Sequence, residues 1–190
     1  CISFTGRHIR YEHLWHGNCY NICNSKHKVE SVMMNILIVS NNDACRSRMA
    51  MEILTSFGRG MKVFTAGVLP GNGIPDTVFS VMEQNGYHLS HKKPVDVELY
   101  CHQPWDYVVT LCREAEESRK DFDNVVRNWK HFLYNDPFQA YYNDEDLVEQ
   151  QVAEVYDLMH RQLYEFYRDE LSEQLLPRCR CGANTYCRCE

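Results

Sequence analysis

The sequence predicts an α/β fold: a doubly wound, four-stranded parallel sheet with helices on both faces. Short apolar runs of strand length alternate with stretches of helical period along most of the 190 residues. The first run, Ile36-Leu37-Ile38-Val39, is aliphatic without a polar alternation, as a strand buried on both faces must be. The segments between runs are long enough to carry the chain over the sheet, as parallel pairing requires.

Taken in order, the strand from Met34 gives way to a polar turn, and a helix begins near Arg46. Met49, Ala50, Ile53, Leu54 and Phe57 fall on one face of that helix, and Gly58 and Gly60 end it. Met61–Gly67 is the second strand. The stretch 69–75 (Leu-Pro-Gly-Asn-Gly-Ile-Pro) is a loop by composition, and Pro75 is suited to open the next helix, which stops at Gly86. A short helical piece is expected over Val95–Cys101, and a third buried strand over Asp106–Cys112. A short helix over Glu114–Phe122 and a weaker fourth strand over Trp129–Tyr134 come next. The last element is a long helix over Asp144–Leu176, striped by Val148, Val152, Val155, Met159, Leu163 and Phe166.

A formal net charge of −6 and the lack of a long basic run argue against nucleic acid as a partner. No apolar run reaches 18 residues and no signal peptide is visible, so a cytoplasmic protein without a membrane segment is expected. Of ten cysteines, only Cys45, Cys101 and Cys112 fall in the body, which is not a disulfide framework. The remainder divide the chain: residues 1–33 read as an extension, a non-native start or disordered, 34–176 as the domain, and 177–190 as a Cys-rich tail. A lipoprotein start at Cys1 and a metal site from His13, His16, Cys19 and Cys23 are alternatives for the first segment.

Chemistry concentrates after the first strand, in Ser40-Asn41-Asn42-Asp43-Ala44-Cys45-Arg46-Ser47. Strand, short loop and helix N-terminus bring backbone N–H groups together, which is the geometry that holds an oxyanion. Arg46 adds a fixed cation and Ser47 a hydroxyl. In a parallel sheet, ligands bind beyond the C-terminal strand ends, where Ser40–Ser47, Cys112 and Asp136 should gather.

These residues resemble the low-molecular-weight protein tyrosine phosphatases, in particular their thioredoxin-coupled arsenate reductase branch. The family loop Cys-x-Gly-Asn-x-Cys-Arg-Ser corresponds to 40–47, and Met49-Ala50 follows as in the family. Further matches are Thr65-Ala66-Gly67, Leu89-Ser90-His91, the run 105–112 (Trp-Asp-Tyr-Val-Val-Thr-Leu-Cys) and Asp136-Pro137. The resemblance implies a flavodoxin-like fold and a phosphate- or arsenate-like oxyanion, or a phosphorylated protein, as partner. It implies no cofactor for the domain. It puts Arg46 in the place of the oxyanion clamp, Ser47 in that of the hydroxyl steadying the nucleophile, and Asp136 in that of the general acid. Cys112 falls where the reductase branch has a redox cysteine.

The chain departs from that pattern at chemical positions. Ser40 replaces the nucleophilic cysteine, and a serine hydroxyl without an adjacent base is a weak nucleophile. Asn42 replaces the family glycine at a place where the change is tolerable through the ease with which Asn takes positive φ. Asp43 replaces the asparagine and is expected to set a carboxylate against the anion. Arg119 stands where the reductase branch has its partner cysteine, so the usual thiol relay cannot run. The sequence therefore predicts a catalytically impaired domain that keeps oxyanion or phosphoprotein binding. An active phosphatase or reductase using Cys45 and Cys112 is the alternative, and a metal-responsive module acting through the tail is another. In that tail Cys179, Cys181, Cys187 and Cys189 form two Cys-x-Cys pairs, a set able to hold one tetrahedral zinc.

Overall fold

The computed structural model describes residues 33–123, 125–139 and 145–175. The apolar runs form four parallel strands: β1 (Met34–Ser40), β2 (Met61–Gly67), β3 (Trp105–Thr110) and β4 (Val126–His131), in spatial order β2-β1-β3-β4. β1 pairs with β2 from Met34↔Met61 to Ser40↔Gly67 and with β3 from Ile36↔Tyr107 to Val39↔Thr110.

The helices are α1 (Arg46–Phe57), α2 (Asp76–Gln84), α3 (Arg113–Glu117) and α4 (Glu145–Phe166). Ile36 and Ile38 pack with Met49, Ile53 and Leu54 of α1, Val78 and Met82 of α2, and Met159 and Leu163 of α4. Leu37 and Val39 point to the other layer, with Val97, Trp105, Val108, Ala115 and Phe122. The two layers are unequal. The long helices cover one face, and a 3-10 turn at Val97–Tyr100, α3 and the 3-10 turn Ser118–Asp121 cover the other.

Three expected elements shift. The fourth strand lies at Val126–His131 rather than Trp129–Tyr134, since its register is set by pairing with β3 from Trp105↔Val126. The helix expected over Glu114–Phe122 is α3 followed by that second 3-10 turn. The last helix does not run on unbroken: α4 ends at Phe166 in a π-helical turn, Tyr167–Leu171, before a final turn Ser172–Leu175. Among the described residues no helix is long and apolar enough to cross a membrane.

The strand order places β1 beside β3, and the connection from β1 runs to β2 on one side while that from β3 runs to β4 on the other. That switch point is where a parallel sheet opens a crevice for ligand. Ser40 ends β1 there, and Leu111 N–H donates to Val39 O at 2.9 Å beside it.

Candidate functional site

The loop after β1 lies tightly against the end of β2. Val68 N–H donates to Ser40 O, Leu69 N–H to Asn41 O, and Gly71 N–H to Asn42 O, at 2.8–3.1 Å. A Cβ on Gly67 would stand 2.8–2.9 Å from backbone atoms of Asn41, Asn42 and Asp43, so only glycine lets the loop come this close. The loop turns at Asp43, whose φ of 50° is in the left-handed region.

That turn sends the Asp43 carboxylate behind the loop. It is fully buried and meets three donors: Arg48 Nη2 at 2.7 Å, Val95 N–H at 2.9 Å and Ser47 Oγ at 2.9 Å. Arg48 also donates to Asp43 O and to Lys93 O, so one guanidinium ties the loop to the 93–95 segment. Ser40 Oγ donates to Ser47 Oγ at 3.0 Å and accepts from Asp43 N–H at 3.2 Å.

The front of the loop lines a cleft of about 580 Å³, with Ser40, Asn41, Asn42, Ala44, Cys45 and Arg46 on one wall. Arg113 and Glu114, then Leu133, Asn135 and Phe138, form the opposite rim. Arg46 crosses the cleft: Nη1 donates to Tyr134 O and Nη2 to Asp136 Oδ2, each at 2.9 Å. Asp136 in turn accepts from Phe138 N–H at 3.1 Å, which fixes the carboxylate at the rim. Cys45, the residue before α1, makes no side-chain cap, so the first N–H groups of that helix keep their capacity for an anion.

Burial biases both cleft thiols towards the protonated form. Burial pushes the Cys45 thiol up to about 12; Arg46 opposes that rise and Asp136 adds to it. Burial also raises Cys112, against an opposing backbone hydrogen bond from Ala115 and the charge of Arg46.

The structure thus gathers Ser40, Arg46, Cys45, Cys112 and Asp136 at one cleft, as expected. Two expectations are corrected. Asp43 does not set its carboxylate against the anion, because the left-handed turn and Arg48 hold it on the far side of the loop. Asn42 does not use positive φ; among the described non-glycine residues only Asp43 does. Arg119 lies away from the cleft, 4.9 Å over the Trp129 ring. The residues of the first segment named above and the four tail cysteines lie outside the described residues. Among the described residues no group of three or more His, Cys, Asp or Glu side chains is placed to hold a metal ion.

Two contributors escaped the sequence reading, Arg48 and Tyr134. Arg48 follows Arg46 by two positions on a helix and so points to a different side. Tyr134 acts through its carbonyl, which no residue type reveals.

A parallel α/β sheet with an uncapped helix N-terminus and an arginine at its switch-point crevice is the class of fold and site the chain presents. The chain belongs to the low molecular weight phosphotyrosine protein phosphatase family, whose model matches residues 35–176. Solved structures with this fold include the tyrosine phosphatase AmsI of Erwinia amylovora, at 18% identity and TM-score 0.55, covering 74% of this chain and 97% of that one. A YwlE mutant from Bacillus subtilis matches at 20% identity and TM-score 0.53, covering 70% and 98%. Wzb of Vibrio vulnificus, in complex with benzylphosphonate, matches at 15% identity and TM-score 0.53, covering 68% and 99%. No curated protein matches the chain.

Proposed function

We propose that this domain binds a phosphate- or arsenate-like oxyanion, free or carried on a phosphorylated protein, and that its hydrolytic turnover is impaired. The observation that carries the reading is the pairing of Ser40 with Arg46 in one cleft: the clamp is present and the thiolate is not. The phosphonate held by Wzb is an anion of the same class. A route through Cys45 and Cys112 is disfavoured, since burial raises both thiols and thiolate is the reactive form. The three free body cysteines suit a reducing, cytoplasmic compartment.

Calorimetry with phosphate, arsenate and a phosphotyrosine peptide tests the binding, which Arg46→Ala should abolish. Hydrolysis of p-nitrophenyl phosphate tests the impairment. The expected result is binding without turnover; a turnover number of roughly 1 s⁻¹ or more would overturn it.

A further inference from the structure

Two of the departures from the family loop, Ser40 and Asp43, are joined by hydrogen bonds. Ser47 gives its hydroxyl proton to Asp43 Oδ1 at 2.9 Å. A hydroxyl has one proton, so Ser47 meets Ser40 as an acceptor, and the Ser40 proton points inward at 3.0 Å. One lone pair of Ser40 Oγ takes the Asp43 N–H. The other is left to the cleft that Ser40 lines. The outcome is a buried path from a hydroxyl to a carboxylate, Ser40–Ser47–Asp43. An asparagine at position 43 could not accept the proton at its end.

We propose that Ser40 is a phosphoryl acceptor, able to take one phosphoryl group from a phosphomonoester and to hold it as phosphoserine. The proposal rests on the oxyanion-binding reading of the same cleft. In the step the Ser40 Oγ–P bond forms as the ester P–O bond breaks. The Ser40 proton passes to Ser47 Oγ while the Ser47 proton passes to Asp43. The departing alkoxide or phenolate takes its proton from solvent at the open rim of the cleft, where Asp136 stands as the carboxylate paired with Arg46. Ser47 and Asp43 are positioning residues that orient the hydroxyl and drain its proton; Arg46, released from Asp136, would meet the phosphoryl oxygens. Arg48 and Val95 N–H fix the carboxylate and compete with the arriving proton, so transfer is slow. A serine alkoxide leaves phosphorus far less readily than a thiolate does, so the ester accumulates rather than turning over.

The test incubates the full chain with p-nitrophenyl phosphate and follows intact mass and released nitrophenolate. Expected are one phosphoryl group per chain, mapped to Ser40, a matching single burst of nitrophenolate, and no label in Ser40→Ala. Ser47→Ala breaks the relay in its middle and leaves the Asp43–Arg48 pair, so it serves where Asp43→Asn fails to fold. Its labelling rate should fall at least about 10-fold, the lower range of what a positioned base contributes. Ser47→Thr, which keeps the hydroxyl, should recover most of that loss. Labelling should slow in D₂O for the parent chain and not for Ser47→Ala. Phosphate binding measured on the same samples separates the two readings. Binding without label overturns the acceptor role alone, and neither binding nor label overturns both. Unchanged labelling in Ser47→Ala overturns the relay.

Discussion

Two arginines lie two residues apart at the start of α1, and each holds a carboxylate, Arg48 that of Asp43 in the preceding loop and Arg46 that of Asp136, 90 residues on. Arg48 meets Asp43 with both side chains closed to solvent, at 4% and 0% exposure. Arg46 meets Asp136 at the cleft, and there the carboxylate keeps 24% of its surface in water. The bond lengths differ little, at 2.7 and 2.9 Å. What separates the pairs is whether water or a ligand can take over when one partner leaves. Asp43 has no such substitute, so its pair acts as a clamp on the loop. Asp136 has one, so its pair acts as a latch across the cleft.

The sharpest break of that comparison is Arg48→Met. It strands a buried carboxylate with only the Ser47 hydroxyl and Val95 N–H for compensation. The expected loss is about 3–5 kcal/mol, the cost of breaking a buried pair from one side. Urea denaturation measures it. Adding Asp43→Asn should return most of the loss, because no buried charge then remains. A loss below about 1 kcal/mol for the single change would show that water reaches Asp43 and that the two pairs are alike.

Cys45 sharpens the comparison from the cleft side. It adjoins Arg46, yet burial outweighs the arginine's charge and keeps the thiol protonated. Burial pushes the folded thiol up from its ordinary 9.0 to about 12. Its contribution is therefore complete below 9.0 and is lost as pH rises from 9.0 towards 12. The slope is up to about 1.4 kcal/mol per pH unit in that window. Burial of Tyr134 acts in the same direction. Urea midpoints at about pH 8 and about pH 10 should fall for the parent chain and fall less for Cys45→Ala. Equal slopes would place the alkaline sensitivity elsewhere.

The central strand was legible because a parallel strand buried on both faces must be apolar on both; β1 falls at Met34–Ser40, where its aliphatic run puts it. β4 was misplaced because the aromatic run Trp129–Tyr134 outweighs Val126–His131 in hydropathy, while backbone pairing at a half-exposed edge decides the strand. The cleft side of the loop was legible for a similar reason, since Arg46 and Asp136 are residue types that chemistry demands. The back of the loop was not. The direction of Asp43 depends on one positive φ and on a donor at Val95, 52 residues away. Sequence shows that a carboxylate is present, not which side of the backbone it leaves from.

The smallest expected effect tests the latch itself. Asp136→Asn removes a charge that can hydrate, and Arg46 keeps its bond to Tyr134 O, so stability should change by about 1 kcal/mol or less. Affinity for inorganic phosphate should respond the other way. In the parent chain an incoming dianion must displace a carboxylate from Arg46 and then sit beside it. The amide neither repels the anion nor competes as strongly for the guanidinium, so binding should tighten by about 3- to 10-fold. Calorimetry at fixed ionic strength reads this directly. Weaker binding in Asp136→Asn would mean that Asp136, as the acid, donates to the anion instead of holding Arg46 from it. The pair at the cleft would then belong with the clamp behind the loop.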